Sequence, residues 1–264
     1  MSIGDTELSK EAIRNLYLEL LKKTILFEIW LEQEARYHHP ENLVFAPTQA
    51  NRTLGIEWPP IAHSMIGRMR MDNLHQCMAS VVKENIEGDF IETGVWRGGS
   101  CIFMSGFLKA HGIKSRKVWV ADSFEGLPPP DPNYPVDKNT NAHLLNYLKV
   151  SLEEVQDNFR KYDLLNDQVT FLKGWFKDTL PTAPIEKIAI ARLDGDLYAS
   201  TWDALTSLYD KISIGGYLII DDYSLHYCKQ AVHDFRNQFH IEEAIQNIDG
   251  SGCFWKKLKE RQVK

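Results

Sequence analysis

From Asp89 onward the chain alternates short, almost unbroken apolar runs with stretches of helical periodicity, and nothing else in it restricts the fold as much. The runs are "DFIET" (89–93), "KVWVADSF" (117–124), "VTFLKGWF" (169–176), "IAIARLDGDL" (188–197) and "GGYLIIDDY" (215–223). A strand with one wet face shows apolar residues at every second position. These runs do not alternate, so both of their faces are expected to be buried. Helical stretches at 101–111, 152–161 and 201–212 separate them. Strand, helix, strand in repetition predicts a doubly wound α/β sheet with right-handed crossovers. A helix at 227–238 follows, and then "FHIEEAIQNI" (239–248) and "GCFWKKLK" (252–259), joined by the hairpin signal "DGSG".

Five parallel strands plus a C-terminal antiparallel hairpin is the Rossmann-like layout of a class I methyltransferase rather than of a dinucleotide-binding domain. Ahead of it, apolar residues recur at helical spacing from Ser9 to about Tyr37: Ile13, Leu16, Leu20, Leu21, Ile25, Leu26 and Ile29. Ser9 is placed to cap this helix, and Phe27 and Trp30 broaden its apolar side. That face either packs on the parent domain or serves as a dimer contact or lid; the two readings stand level. A polar loop leads to "EWPP" (57–60), and a second helix is expected from Ile61 towards Lys83, with Met65, Met69, Leu74, Met78 and Val81 as a core stripe. The expected organisation is an N-terminal helical segment for lid or oligomer formation, residues 1–84, and a methyltransferase domain, residues 85–264. The long irregular stretch at 126–150, rich in Pro and Asn, suggests a functional loop or lid.

With 264 residues, 44% hydrophobic, the chain can bury one substantial core plus an appendage. A net charge of −6 disfavours a nucleic-acid partner. The four cysteines are widely spaced and form no CxxC pair, which fits reduced, buried thiols in a cytoplasmic protein. No secretory signal precedes the first charged helix, and the most apolar window, "TILFEIWL" (24–31), is too short to span a bilayer.

Open α/β sheets bind ligands beyond the carboxyl ends of their strands. In this chain all five ends carry acids or Gly-aromatic turns: Glu92 with Gly94, Gly98 and Gly99; Asp122-Ser123-Phe124; Gly174-Trp175-Phe176; Asp194-Gly195-Asp196; and Asp221-Asp222-Tyr223. The glycine pattern GxxxGG lacks the second glycine of the GxGxxG fingerprint, and Glu92 would repel a phosphate. S-adenosylmethionine suits such a tip, having an amino group, a sulfonium and no phosphate. Glu92 is then expected near its methionine end, with bare glycine backbone allowing close approach. Asp122, thirty residues on, would accept from the ribose hydroxyls, and Trp175 or Phe176 would flank the adenine. The plainer readings are helix capping for Asp122 and core packing for the two aromatics.

Asp194, Asp196, Asp221 and Asp222 fall at adjacent strand ends, where four carboxylates repel unless a cation joins them. Oxygen-only ligands point to Mg²⁺ or a similar hard cation; protonated acids or helix caps are the alternatives. A cation there suits methyl transfer to an alcohol, which needs its hydroxyl acidified and a general base beside it. A Mg²⁺-dependent hydrolase or phosphotransferase is a second reading, without the P-loop or basic cluster it requires. A silent cofactor-binding scaffold is a third.

The strings "AHSMIG" (62–67), "ETGVWRGGSCIF" (92–103), "VWVADSFEGLP" (118–128), "GWFKDTLPTAP" (174–184), "LDGDLY" (193–198), "GGYLIIDDY" (215–223) and "DGSGCFWKK" (249–257) closely resemble those of the macrocin O-methyltransferase family, which includes mycinamicin sugar O-methyltransferases. The likeness runs from about Arg52 to Lys257. It implies S-adenosylmethionine and Mg²⁺ dependence, methylation of a sugar hydroxyl on a glycosylated natural product, and a homo-oligomer involving the N-terminal helices and lid. Position by position it assigns Glu92, Gly94, Ser100, Asp122, Ser123, Gly174 and Trp175 to the cofactor, together with Met65, which leaves the core stripe. It assigns Asp194, Asp221 and Asp222 to the metal, Asp194 bordering the cofactor as well, and Asp196 to the base. Asp194 and Asp196 share one turn, so their roles are interchangeable at this level. The chain departs from the family at Trp58, where the macrolide enzymes have tyrosine, and at "PPDPNYPVDKNTNAHL"; both departures concern the acceptor.

Overall fold

The computed structural model describes residues 8–34 and 47–261. Helix α1 (Lys10–Ile25) starts where Ser9 Oγ accepts the Ala12 amide at 3.1 Å. It stops well short of the expected Tyr37. Phe27 takes a left-handed φ of 59°, and the Ile25 carbonyl accepts from His63 instead of continuing the helix. Among the described residues, a 3-10 turn at Glu28–Trp30 and a one-turn helix α2 (Leu31–Glu34) follow it. The end of the expected helix, up to Tyr37, and part of the polar loop after it lie outside the described residues. Leu18, Leu21, Ile25 and Leu26 are buried, whereas Ile13, Leu16 and Leu20 are each more than half exposed. The buried set joins one apolar cluster with the helices and strands of the sheet's near side.

The expected loop before "EWPP" contains a short helix, α3 (Gln49–Leu54), capped by Thr48. The second long helix, α4 (Gly67–Lys83), begins six residues later than its apolar pattern suggests. Tertiary bonds take the backbone groups of 61–63: Glu34 accepts the Ile61 and Ala62 amides, and His63 O accepts the Gly99 amide. Met65 therefore stands outside the helix. Leu74, Met78 and Val81 are core as expected, but Met69 is 37% exposed and Met71 takes the buried position instead.

The alternating region folds as β1 (Asp89–Thr93), α5 (Gly99–His111), β2 (Val118–Asp122), α6 (Leu152–Lys161), β3 (Val169–Lys173), a short α7 (Phe176–Thr179), β4 (Ile188–Leu193), α8 (Tyr198–Leu208), β5 (Ile212–Ile220) and α9 (His226–Gln238). β1 to β5 pair in parallel, and every residue of β4 is buried. The hairpin is shorter than expected, β6 (Gln246–Asn247) and β7 (Cys253–Lys256), because 239–245 is irregular after α9. β7 pairs antiparallel with β5 and β6 lies outside it, giving the order β3-β2-β1-β4-β5-β7-β6 among the described residues. Helices cover both faces, with one apolar cluster on each. All four cysteines are buried and free. Among the described residues no helix is long and apolar enough to cross a membrane.

The segment 126–150 carries three single 3-10 turns, at Pro135–Asp137, Ala142–Leu144 and Asn146–Leu148. Tyr147 stacks on Trp58 with centroids 5.0 Å apart and donates its hydroxyl to Pro59 O at 2.7 Å. The loop is thereby fastened across the sheet's carboxyl edge to the N-terminal segment.

Candidate active site

The register of the sheet brings the strand tips to one level. Thr93 pairs with Ala121 on one side and Leu193 on the other, and Leu193 with Ile220. The ladder runs on past the strands: Gly94, Asp194 and Asp221 donate their amides to Ala121, Thr93 and Leu193 at 2.8–2.9 Å. Above this level opens a cavity of about 700 Å³. Met65, Glu92, Gly94, Ser100, Asp122, Ser123 and Trp175 line it. So do Asp194, Asp196, Asp221 and Asp222.

Gly174 does not line the cavity. It turns the chain after β3, its amide bonded to Asp122 O at 2.9 Å and its φ at +142°. The glycines after β1 are also chiefly packing devices. A Cβ on Gly94 would lie 1.7 Å from Asp194 O, and one on Gly99 would lie 2.4 Å from His63 O. Of the three, Gly94 borders the cavity, while Gly98 packs against α6 and Gly99 against the N-terminal segment.

Asp122 caps none of the described helices. Its carboxylate accepts the Val95 and Phe124 amides at 2.7 Å each, tying the glycine loop to its own turn. Burial raises its pKa, and these backbone bonds pull it back. Glu92, 1% exposed, lies beside Arg192, its register partner on β4, at 2.5 Å, and Cys101 Sγ donates to it at 3.0 Å. Burial pushes Glu92 up to about 7 against the pull of Arg192.

The crowding of the four aspartates is relieved in part by two arginines that the strand-end reading overlooked. Arg192 donates to Asp194 at 2.9 Å and to Asp221 Oδ1. Arg70 of α4 donates to Asp221 Oδ2, to Asp249 at 2.9 Å and to Gly55 O at 2.8 Å. Both are buried. A charge inside a doubly buried strand needs partners, so the lone Arg of "IAIARL" was the available signal for the first; Arg70 had none of that kind. The oxygens of Asp194, Asp221 and Asp222 lie within 4.8 Å of one another. Burial and then the Asp221 charge raise Asp194 to about 6. Burial and then Asp194 raise Asp196 to about 7. Asp222 is pushed well up by burial and then by Asp196 and Asp194. Asp196 itself takes a left-handed φ of 54° and donates its amide to Asp222 at 3.0 Å.

A parallel sheet with its last strand reversed beside β5 and an acid-lined cavity at its carboxyl edge defines a class I methyltransferase. Residues 14–257 match the macrocin O-methyltransferase (TylF) family, and the chain belongs to it. It is 48% identical over 248 residues to the 8-demethyl-8-(2,3-dimethoxy-alpha-L-rhamnosyl)-tetracenomycin-C 4'-O-methyltransferase of Streptomyces olivaceus, covering 93% of this chain and 94% of that one. It is 46% identical over 263 residues to the demethyldecarbamoylnovobiocin O-methyltransferase of Streptomyces niveus, covering 97% and 99%. The solved O-methyltransferase NovP superposes with a TM-score of 0.88 at 47% identity, over 93% of this chain and all of that one. The protein is therefore an S-adenosylmethionine-dependent O-methyltransferase, and the hydrolase or phosphotransferase and scaffold readings of the aspartates are not favoured.

Proposed function

We propose that this enzyme methylates a hydroxyl of a sugar carried by a natural product, with Mg²⁺ held by Asp194, Asp221 and Asp222 and with Asp196 as the base. The observation that carries the reading is the convergence of those three carboxylates beside Asp196 within the cavity. Their all-oxygen donor set suits a hard cation. Two guanidinia, Arg70 and Arg192, pair with Glu92, Asp194, Asp221 and Asp249, while Asp196 and Asp222 stand beside them, so the acids outnumber the guanidinia that meet them. Asp221 shares both oxygens with the arginines, which makes Asp194 and Asp222 the freer donors.

When bound, S-adenosylmethionine supplies a sulfonium-activated methyl group and Mg²⁺ supplies a Lewis acid that acidifies the acceptor alcohol. The chain's own part is placement and one proton. Asp122 accepts from the ribose with the lone pairs that Val95 and Phe124 leave, Trp175 flanks the adenine, and Glu92 and Met65 border the methionine end. Asp196 Oδ takes the acceptor's proton as general base. Most of the rate then comes from holding the two partners in line. Trp58 and the loop 126–150 form the acceptor side.

We also assign residues 1–84 to lid and homo-oligomer formation, with the exposed Ile13, Leu16 and Leu20 face of α1 as the contact, in a cytoplasmic enzyme. Methyl transfer to a panel of glycosylated acceptors, with and without EDTA and with Mg²⁺ restored, tests the reading. Activity indifferent to chelation removes the metal; transfer only to non-sugar hydroxyls removes the sugar.

A further inference from the structure

The lid meets the start of α8, directly after the turn that carries Asp196. Asp137, the last residue of the 3-10 turn Pro135–Asp137, has 0% exposure. Its two carboxylate oxygens accept the amides of Tyr198 and Ala199 at 2.9 Å each. These are the first two residues of α8, a helix without a cap of its own: Leu197 stands at the capping position and its side chain accepts nothing. A carboxylate sixty-one positions earlier thus does what a Ser or Asp at 197 would ordinarily do, and it meets the positive end of the helix. A second contact joins the same two pieces, the rings of Tyr134 and Tyr198 at 5.6 Å.

The turn 194–196 is fixed from both sides. On the strand side the Asp194 amide is bonded to Thr93 O at 2.8 Å. On the helix side Leu197 leads directly into the amides that Asp137 holds. Between them Asp196 sits at a φ of +54°, a sparsely populated conformation that persists only where its surroundings enforce it. We infer that Asp137 is a positioning residue: by capping α8 from the lid it fixes the turn, so that Asp196 is aimed at the acceptor when the lid is seated. The inference rests on the reading of Asp196 as the base.

The test uses full-length Asp137→Ala, Asp137→Asn and Asp196→Asn. Hydrogen–deuterium exchange is read at 194–199, S-adenosylmethionine affinity by calorimetry, and kcat and acceptor KM with demethyldecarbamoylnovobiocin as first probe, then the acceptor panel. Asp137→Ala is expected to raise exchange across 194–199 on the order of tenfold, with β1 and α9 unchanged. Its kcat is expected to fall on the order of a hundredfold, with cofactor affinity held within about twofold. Asp137→Asn keeps one acceptor oxygen and should fall between, and it carries the test if the alanine variant does not fold. Unchanged exchange at 194–197 overturns the inference, as does a raised acceptor KM with kcat intact, which would make Asp137 a lid latch alone. If Asp196→Asn keeps its turnover, the base assignment fails while the exchange result stands on its own.

Discussion

Arg192 donates through a single nitrogen, Nη1, to Glu92 at 2.5 Å and to Asp194 at 2.9 Å, so one buried guanidinium joins the tip of β1 to that of β4. Its Nη2 holds Asp221 at the tip of β5. Removing it leaves Glu92 and Asp194 facing each other without their counter-ion, and Asp221 with Arg70 alone. Arg192→Met should therefore cost about 3–5 kcal/mol in urea unfolding. Glu92→Gln should cost about 1 kcal/mol, since its oxygen still accepts from Arg192. Burial has already pushed Glu92 up to about 7, which brings the neutral form close. Equal losses in the two variants would show that the arginine is not the hub.

Gly94 and Gly112 separate backbone strain from collision. Both have positive φ, +82° and +67°. An added Cβ at Gly112 meets none of the described residues within 4 Å, so Gly112→Ala should cost only the left-handed strain, about 1–2 kcal/mol. At Gly94 the methyl would be driven against Asp194 O, adding about 1–3 kcal/mol and displacing the acid turn. Thermal melts should rank them in that order, and calorimetry should show cofactor binding lost only in Gly94→Ala. Intact binding in Gly94→Ala would mean that the turn tolerates displacement.

Much of this was legible in the chain. The five strands could be read because burial on both faces forces unbroken apolar runs, and each run ends on an acid or a glycine where the ladder stops. Boundaries set by tertiary bonds were not legible. The periodicity of α1 continues through Ile29, yet a left-handed Phe27 ends the helix, and 61–63 looks helical until its backbone groups are spent on Glu34 and Gly99. Gly174 is assigned to the cofactor by the family resemblance; the structure shows it turning the chain after β3, outside the cavity lining. Arg192 could have been found from its position inside a buried strand. Asp137 could not, because nothing in a polar loop marks which aspartate will meet a helix end sixty-one residues away.

His63 gives a pH dependence that can be isolated from that of the acids. Its Nδ1 lies 2.8 Å from the Tyr162 hydroxyl, and burial, then the charges of Lys161 and Arg97, push it down to about 4. Below its ordinary value of about 6.5 the unfolded chain takes a proton that the folded chain refuses. Stability is therefore whole above pH 6.5, is lost as pH falls towards 4, and levels off below, by at most about 3 kcal/mol. In the difference between wild type and His63→Gln unfolded at pH 4 to 7, that slope should appear; parallel curves would refute it.

Asp194 and Asp196 share one turn, and their substitutions should divide the labour between them. Arg192 holds Asp194, which also belongs to the cluster of three carboxylates, whereas among the described residues no ion pair holds Asp196. Asp196→Asn should lower kcat by about 10²–10⁴-fold, the usual worth of a general base, and leave S-adenosylmethionine affinity nearly intact. Asp194→Asn should instead weaken Mg²⁺ binding in a calorimetric titration, and raised Mg²⁺ should restore part of its turnover. The opposite pattern, with rescue by Mg²⁺ in Asp196→Asn alone, would exchange the two roles: Asp196 would be the ligand, and the acid paired with Arg192 the base.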